Sequence, residues 1–580
     1  MNFDNNEEHL STDVLVVGGG IGGCFAAIKA AEAGAKVIVL EKANIVRSGQ
    51  LGTGISSMQL IHPDYNHSFR EFAALNVGYA AGIADEDVCC EFARDSLDRI
   101  LDLETYGLKV RSNDGAFYFT TAPQICPGKV IIRPPERLAW RDLKPLLVRK
   151  LMSFENVTIL NRTTAIGLLT GDGEIGANVI GTVGLNSRTG KFIICDAKAV
   201  ILTTGDSNRF QRHLDSAYSP SRFVSCGPPT QSGDGLAMAY RAGADIVNME
   251  FGCGGVPGNT WKDFNHDGVG QAMSEGQFLN GRGEVIPNTI DRRALYLQVH
   301  AGAPNTIGPL YADLSNLEGW PEEKGAFQRQ LWSLEGEATS AGFFLWMKER
   351  GEDFRKGPVE IGRRPMLHLH SNQAGIHMDT NARSSLDGLY CAGDLGAGGW
   401  RQSSVGGFVF GARAGRHAAE YASKAPKTRI NMSQVEKEEN RILETLSVHP
   451  RDGYSWVELE DKARQIATDY GPPFTSDAML ERGLIHLERI KAKYLPKLWA
   501  RDPRDMMRAS EVKSVFLLVE ACLKAALFRK ESRASAMSIL SKTGYPDRDD
   551  KNWLKHTLIR NVNGEMDLRT KDVKRLDKSN

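Results

Sequence analysis

The run Asp13–Val14–Leu15–Val16–Val17–Gly18–Gly19–Gly20–Ile21–Gly22–Gly23–Cys24 constrains this chain more than any other stretch. Four consecutive apolar residues read as a buried parallel strand, the glycines as a tight turn, and the Ala-rich Cys24–Ala33 as a helix. A second apolar run, Val37–Ile38–Val39–Leu40, ends on Glu41–Lys42. Strand, glycine turn, helix, strand and acid form the order of a dinucleotide-binding βαβ unit. Gly18 allows the turn, Gly20 lets the backbone approach a diphosphate, and Gly23 lets helix and strand pack closely. The diphosphate is expected on the amides around Gly20 and Ile21, at the positive end of the helix dipole. Glu41 is placed to accept from a ribose 2′-hydroxyl, which favours FAD or NAD over NADP.

With 580 residues the chain has room for two to four domains. Lys+Arg and Asp+Glu both number 71, so the formal charge is zero, and with no long basic stretch nothing points to nucleic acid. The most apolar helical run, Val515–Phe528, includes Glu520 and Lys524. It is too short and too charged to span a bilayer, which takes about 20 apolar residues. Met1–His9 is polar and acidic, unlike a secretory or twin-arginine leader, so the cytoplasm is the expected location. The nine cysteines include no CxxC pair and no recognisable metal spacing, so no metal ligands are assigned. Any iron–sulfur cluster in the reaction has to come from another chain.

The organisation is that of a nucleotide-binding fold which starts, is interrupted and is completed late. Residues 1–249 read as its first part, with the β-rich Phe192–Thr204 leading into Thr204–Gly205, and Gly233–Asp234–Gly235 opening a helix. Residues 250–362 are rich in Gly, Pro and Asn and read as an inserted α+β cap. Residues 363–430 complete the fold, with a strand and acid at Gly388–Asp394 and a helix over about Gly406–Lys424. Residues 431–580 read as a C-terminal helical domain. The fold class is therefore α/β: a Rossmann-like FAD-binding domain, interrupted by a cap and followed by helices. A second acidic strand end, Asp394, suits the hydroxyls of a ribityl chain and favours FAD over NAD.

The chain resembles the flavoproteins of the fumarate reductase and succinate dehydrogenase superfamily, and most resembles the alpha chain of adenylylsulfate reductase. Arg47–Ser48–Gly49 followed by Gly54–Ile55–Ser56 is similar to that branch's RSG…GLS segment. His370–Gly375 is similar to its HxxxAG segment. Arg529–Arg533 and Tyr545–Trp553 are similar to the superfamily's RxESR…YPxxDDxxW signature. Succinate dehydrogenases carry a flavin-linked histidine where this chain has Gly49, so the resemblance implies non-covalent FAD. It also implies a ferredoxin-like iron–sulfur partner. It places Ser48, Gly49, Gly54, Lys42, Thr204, Gly205 and Asp234 around the cofactor. Ser403 and Ser404 fall where a helix points at the flavin pyrimidine. Fumarate and succinate enzymes carry a TEGxRGEGG segment, and the matching Ser274–Asn280 has no arginine. That departure argues against a dicarboxylate substrate.

Three residues are candidates for the chemistry. The resemblance brings His370 near the flavin. His368 alternates with Leu367 and Leu369, so a strand there would turn both histidines to one side. Either could pass a proton near neutral pH, and each also has a purely structural reading. Arg401 suits bidentate capture of a small anionic substrate, with an ordinary ion pair as its alternative. The leading expectation is an FAD-dependent oxidoreductase chain like the alpha chain of adenylylsulfate reductase. The alternatives are hydride transfer at a carbon–carbon double bond of an organic acid or aromatic substrate, and a non-catalytic FAD-containing binding or assembly protein.

Overall fold

Val14–Val17, Val37–Leu40 and Ala199–Leu202 are apolar throughout and buried, as strands covered on both faces must be. The structure is a computed structural model. It describes residues 7–52, 54–55, 58–62, 68–121, 130–133, 140–211, 228–254, 277–286, 310–313, 315, 349, 351, 356–361, 367–369, 373–399, 403–426, 429–535 and 539–577. Strand β1 (Glu7–Val17), helix α1 (Ile21–Glu32) and strand β2 (Val37–Glu41) form the first unit, with Val14 opposite Val37 in parallel register. Helix α2 (Leu143–Met152) leads to β3 (Val157–Asn161), which pairs in parallel with β2. Strands β4 (Thr163–Thr170), β5 (Val179–Asn186) and β6 (Phe192–Leu202) follow, with β4–β5 and β5–β6 antiparallel. β6 then runs parallel to β1 along its whole length.

Helix α3 (Asp234–Ala242) leads into β7 (Ile246–Val247). The described residues between 250 and 362 include strands Gln277–Leu279, Val285–Ile286, Leu310–Asp313 and Val359–Ile361, joined as an antiparallel sheet. Beside them β8 (Gly252–Gly254) pairs with β9 (Leu367–Leu369). The chain then returns through β10 (Gly375–His377) to β11 (Leu389–Cys391), which completes the main sheet parallel to the C-terminal end of β6.

After β12 (Gly396–Ala397) comes helix α4 (Ser403–Lys424), which begins three residues before the sequence suggests. Gly406 and Gly407 lie inside it rather than ahead of it. Their neighbours explain why. A Cβ on Gly411 would lie 2.5 Å from the Gly22 carbonyl oxygen, and one on Gly415 2.3 Å from that of Ala26. Gly407, Gly411 and Gly415 fall at four-residue intervals and form one bare stripe on α4. Tertiary contact with α1 thus offsets the helix-propensity cost of glycine, roughly 1 kcal/mol per residue.

The C-terminal region contains helices α5 (Trp456–Tyr470), α6 (Asp477–Lys493) and α7 (Pro503–Phe528), each opened by a Ser or Asp N-cap. It is not helical throughout. Strands β13 (Lys555–Val562) and β14 (Glu565–Asp572) form a hairpin, and β13 pairs antiparallel with β7. The result is a second sheet of order β12–β10–β7–β13–β14. At this junction Arg529 is wholly buried. It donates to Glu250 at 2.6 Å and to Glu531 at 2.7 Å, and Glu531 in turn binds Arg533 at 2.7 Å. Among the described residues no helix is long and apolar enough to cross a membrane.

Replacing Gly415 by Val forces α1 and α4 apart. We expect a loss of about 2–3 kcal/mol, as for other overpacked sites, read as a lowered thermal midpoint. A midpoint equal to wild type would show that the helices can separate freely.

Candidate cofactor and active site

The glycine turn sits at the C-terminal edge of the parallel sheet, where open α/β sheets bind ligands. Gly18 has φ +100°, and a Cβ there would lie 2.6 Å from the Thr203 carbonyl oxygen. A Cβ on Gly23 would be 1.9 Å from the Gly18 carbonyl oxygen, so helix and strand touch through backbone. Gly20 differs, because a Cβ there would meet nothing within 4 Å. Gly20 is also the N-cap of α1 and receives no side-chain cap. The first amides of α1, starting at Ile21, therefore face open space with the helix dipole behind them.

Other expected residues surround this opening. Glu41 is buried at the end of β2, and its carboxylate accepts from Gly19 N at 2.7 Å and Ala43 N at 2.6 Å. Ser48 reaches the Gly19 carbonyl oxygen at 3.5 Å. Gly49 (φ +83°) lies against the turn, where a Cβ would be 3.0 Å from Gly20 Cα. Gly54 packs instead on the backbone of Arg141 and Trp140. Gly205 (φ +75°) follows β6 and packs against Gln231. Asp394 lies in the short turn Gly393–Leu395 after β11. A Cβ on Gly22 would be 3.4 Å from the Gly407 carbonyl oxygen and 3.5 Å from Gly393 N, so the starts of α1 and α4 meet beside this turn. Ser404 lies in the first turn of α4, and the backbone of Ser403 begins it.

Lys42 takes a different place from the one expected. Its ammonium is committed to protein groups: Asp234, Glu511 Oε1 at 2.9 Å, Ser232 Oγ at 2.9 Å and the Thr230 carbonyl oxygen at 3.0 Å. Glu511 also binds Arg209, and Arg508 at 2.7 Å, while Arg209 binds Glu460 on α5. Burial pushes the Glu511 carboxyl up, but Lys42, Arg209 and Arg508 outweigh it and hold it at about 2. Lys42 thus reaches the cofactor region only through Asp234. The Asp234 carboxylate gives Oδ2 to Lys42 and to Ser232, while its buried Oδ1 has no partner among the described residues. Thr204 Oγ1 is likewise buried with no partner there. These uncommitted acceptors, with the open face of Gly20 and the bare amides of α1, fit a dinucleotide bearing hydroxyls and a diphosphate.

His370 and Arg401 lie outside the described residues. His368 lies in β9, opposite Cys253 of β8, and its side chain is not among those described. The mutual placement of the three expected catalytic side chains thus falls outside the described residues. The structure does show a buried cluster that no sequence pattern announces. Asp85 Oδ2 meets His377 Nε2 at 3.1 Å, and Asp85 Oδ1 meets His556 Nε2 at 3.2 Å. The spacing suits a metal ion, but the outer partners do not. Lys571 Nζ donates to His377 Nδ1 at 3.2 Å, and Asn248 Nδ2 faces His556 Nδ1 at 2.9 Å. Asn248 is oriented by its bonds to the Gln373 carbonyl oxygen and Thr557 N. Both Nδ1 atoms must accept, so both Nε2 atoms carry the proton and donate to Asp85. A metal would need the opposite tautomers. The cluster instead ties β13 and β14 to β10 and to the start of helix Glu86–Thr105, where Asp85 is the N-cap residue.

The FAD binding domain family matches residues 13–407, and the Fumarate reductase flavoprotein C-term family matches residues 460–577. The chain belongs to the FAD-dependent oxidoreductases of the fumarate reductase and succinate dehydrogenase superfamily. It is 24% identical to a chain of the CoM/CoB fumarate reductase of Methanothermobacter marburgensis, over 90% of this chain and 93% of that one. Adenylylsulfate reductase from Archaeoglobus fulgidus has the same fold, with a TM-score of 0.80 and 23% identity over 98% of this chain and 97% of that one. Quinol fumarate reductase of E. coli aligns with a TM-score of 0.76 and 21% identity, over 98% of each chain.

Gly20→Val should fold as wild type but purify without flavin, because its side chain occupies only the open space, whereas Gly23→Val should lower stability itself. Comparing flavin absorbance with the melting of the stripped proteins separates the two effects. Buried His556 sets a pH dependence. Burial lowers the His556 pKa below 6.5, despite the opposing pull of Asp85. The unfolded chain then binds a proton that the folded one refuses, so this contribution is present above pH 6.5 and is lost as pH falls below it. The slope should approach about 1.4 kcal/mol per pH unit for one proton. His556→Gln should flatten melting against pH in the range just below about 6.5, the ordinary histidine value. An unchanged profile would remove His556 as its source.

Proposed function

We propose that this chain is the catalytic flavoprotein of a two-component redox enzyme. It holds FAD non-covalently, exchanges two electrons with a small anionic substrate, and trades them singly with a separate ferredoxin-like iron–sulfur chain. The observation that carries this reading is the meeting of α1 and α4 through bare backbone at Gly22, Gly393 and Gly407, beside Thr204 and Asp234. Two helix N-termini are thereby brought together, one suited to a diphosphate and one to a second centre of negative charge. Gly49, where a covalent link would need a side chain, offers none, in keeping with non-covalent binding. The nine cysteines lack cluster spacing, which suits a partner that carries the metal. Cys24, Cys90, Cys195, Cys391 and Cys522 are free and buried, in keeping with a reducing cytoplasm.

FAD when bound supplies two-electron transfer at the N5 edge of its ring. The protein groups do the rest. The first amides of α4 and Ser404 donate to the ring edge that gains negative charge. Arg401 holds the anionic substrate, and His370 moves the proton. The domain reading stands with this proposal: residues 1–249 and 363–430 form the cofactor domain, 250–362 the cap over the substrate, and 431–580 the C-terminal unit.

Of the substrate chemistries, a sulfur oxoanion of the adenylylsulfate type is favoured over a dicarboxylate, because Ser274–Asn280 lacks the arginine that fumarate enzymes use. Reduction of a carbon–carbon double bond is the second reading, supported by the likeness to the Methanothermobacter fumarate reductase. The test is a visible spectrum of the chemically reduced holoprotein under argon, before and after adding adenylylsulfate or fumarate. Loss of the reduced spectrum with adenylylsulfate alone is expected. Reoxidation by fumarate alone would move the assignment to the second reading.

A further inference from the structure

Among the described residues, six buried cations each lie within ion-pair distance of a carboxylate: Lys29, Arg99, Arg209, Arg529, Arg533 and Lys542. Lys144 does not follow this rule. It is 0% exposed, and among the described residues its ammonium meets only the Gly19 carbonyl oxygen and Cys24 Sγ, the latter at 3.3 Å. A lysine is almost never fully buried without an opposite charge, because neutral partners do not repay its lost hydration. The charge that balances Lys144 is therefore absent from the described protein groups.

The position of Lys144 says what that charge is. It projects from the first turn of α2 to the middle of the glycine turn. The Gly19 carbonyl that it binds shares a peptide unit with Gly20 N–H. In a trans peptide the two point in opposite directions. Lys144 thus holds the peptide from behind, and Gly20 N–H is turned to the other side, where it has no acceptor among the described residues. Gly20 also leaves open space at its Cα, where a Cβ would meet nothing within 4 Å. A cation on the carbonyl also polarises the peptide and makes its N–H a stronger donor.

We propose that Lys144 is the counter-charge to the FAD diphosphate, a positioning residue that acts through the Gly19–Gly20 peptide and across the turn. This rests on the assignment of FAD to the glycine turn. The sequence alone does not show it, since Lys144 is some 120 residues from the turn and reaches it only through the packing of α2 on α1. The other buried cations have their carboxylates within the protein, whereas the opposite charge for Lys144 comes with the dianion.

The test uses the full chain stripped of flavin, with FAD titrated by fluorescence quenching at low and high salt, and melting measured without FAD. Lys144→Met and Lys144→Gln should each bind FAD at least tenfold more weakly, with a shallower salt dependence. Without FAD both should melt at or above the wild-type temperature, because an unpaired buried charge has been removed. A Lys144→Met protein that binds FAD within twofold of wild type would overturn the proposal. So would wild-type affinity in Lys144→Gln alone, which would assign the effect to the hydrogen bond rather than the charge. So would a fall in the flavin-free midpoint matching the loss of affinity, which marks a merely structural lysine. Wild-type protein that took up no FAD would instead fail the cofactor assignment itself.

Discussion

The contact on which the rest depends is between two backbones. Helices α1 and α4 approach so closely that the glycines at 411 and 415 leave no room for a methyl group against α1. Helix pairs usually keep roughly 8–10 Å between axes because side chains intervene. Here the glycine stripe of α4 contributes no side chains of its own, so backbone meets backbone and the helix starts can meet as well. Around that meeting point lie the open face of Gly20, the acceptors of Thr204 and Asp234, and the turn at Gly393. A chain with alanines in the stripe would form the same secondary structure without the same site.

Charge fixes the second relation, that between the C-terminal helices and the cofactor domain. Glu511 on α7 gathers Lys42, Arg209 and Arg508, and through Lys42 it holds Asp234. Arg529, Glu250, Glu531 and Arg533 form a similar buried group near β7. Such groups add little net stability over apolar packing, but breaking one partner costs about 3–5 kcal/mol. Their effect is therefore to make one mutual placement of the helices and the sheet much better than its neighbours. Asp234 belongs to both systems, so the orientation of an expected cofactor ligand depends on a helix far along the chain.

The parts legible in the sequence are those set by local pattern. The βαβ unit, the turn glycines and the acid ending β2 follow from apolar runs and spacing, and they stand where the pattern puts them. The start of α4 is hard to read because Gly406–Gly407 look like a helix boundary, and only the approach of α1 shows them to be interior. Lys42 departs from its expected place because its neighbour Glu41 points at the turn while its own side chain goes the other way, toward residues distant in the chain. Lys144 and the Asp85–His377–His556 cluster have no local signal. Each unites residues more than one hundred positions apart, and a single sequence carries no record of such neighbours.

The β13–β14 hairpin sets an order of events. β7 lies between β10 and β13, so its edge is completed by residues 555–562, long after the glycine turn has been made. During synthesis the nucleotide-binding half leaves the ribosome well before the strand that closes its second sheet. The early chain therefore has an open β edge, a condition that favours aggregation. Completion of the second sheet is for that reason a late step, which waits on the synthesis of residues 555–572.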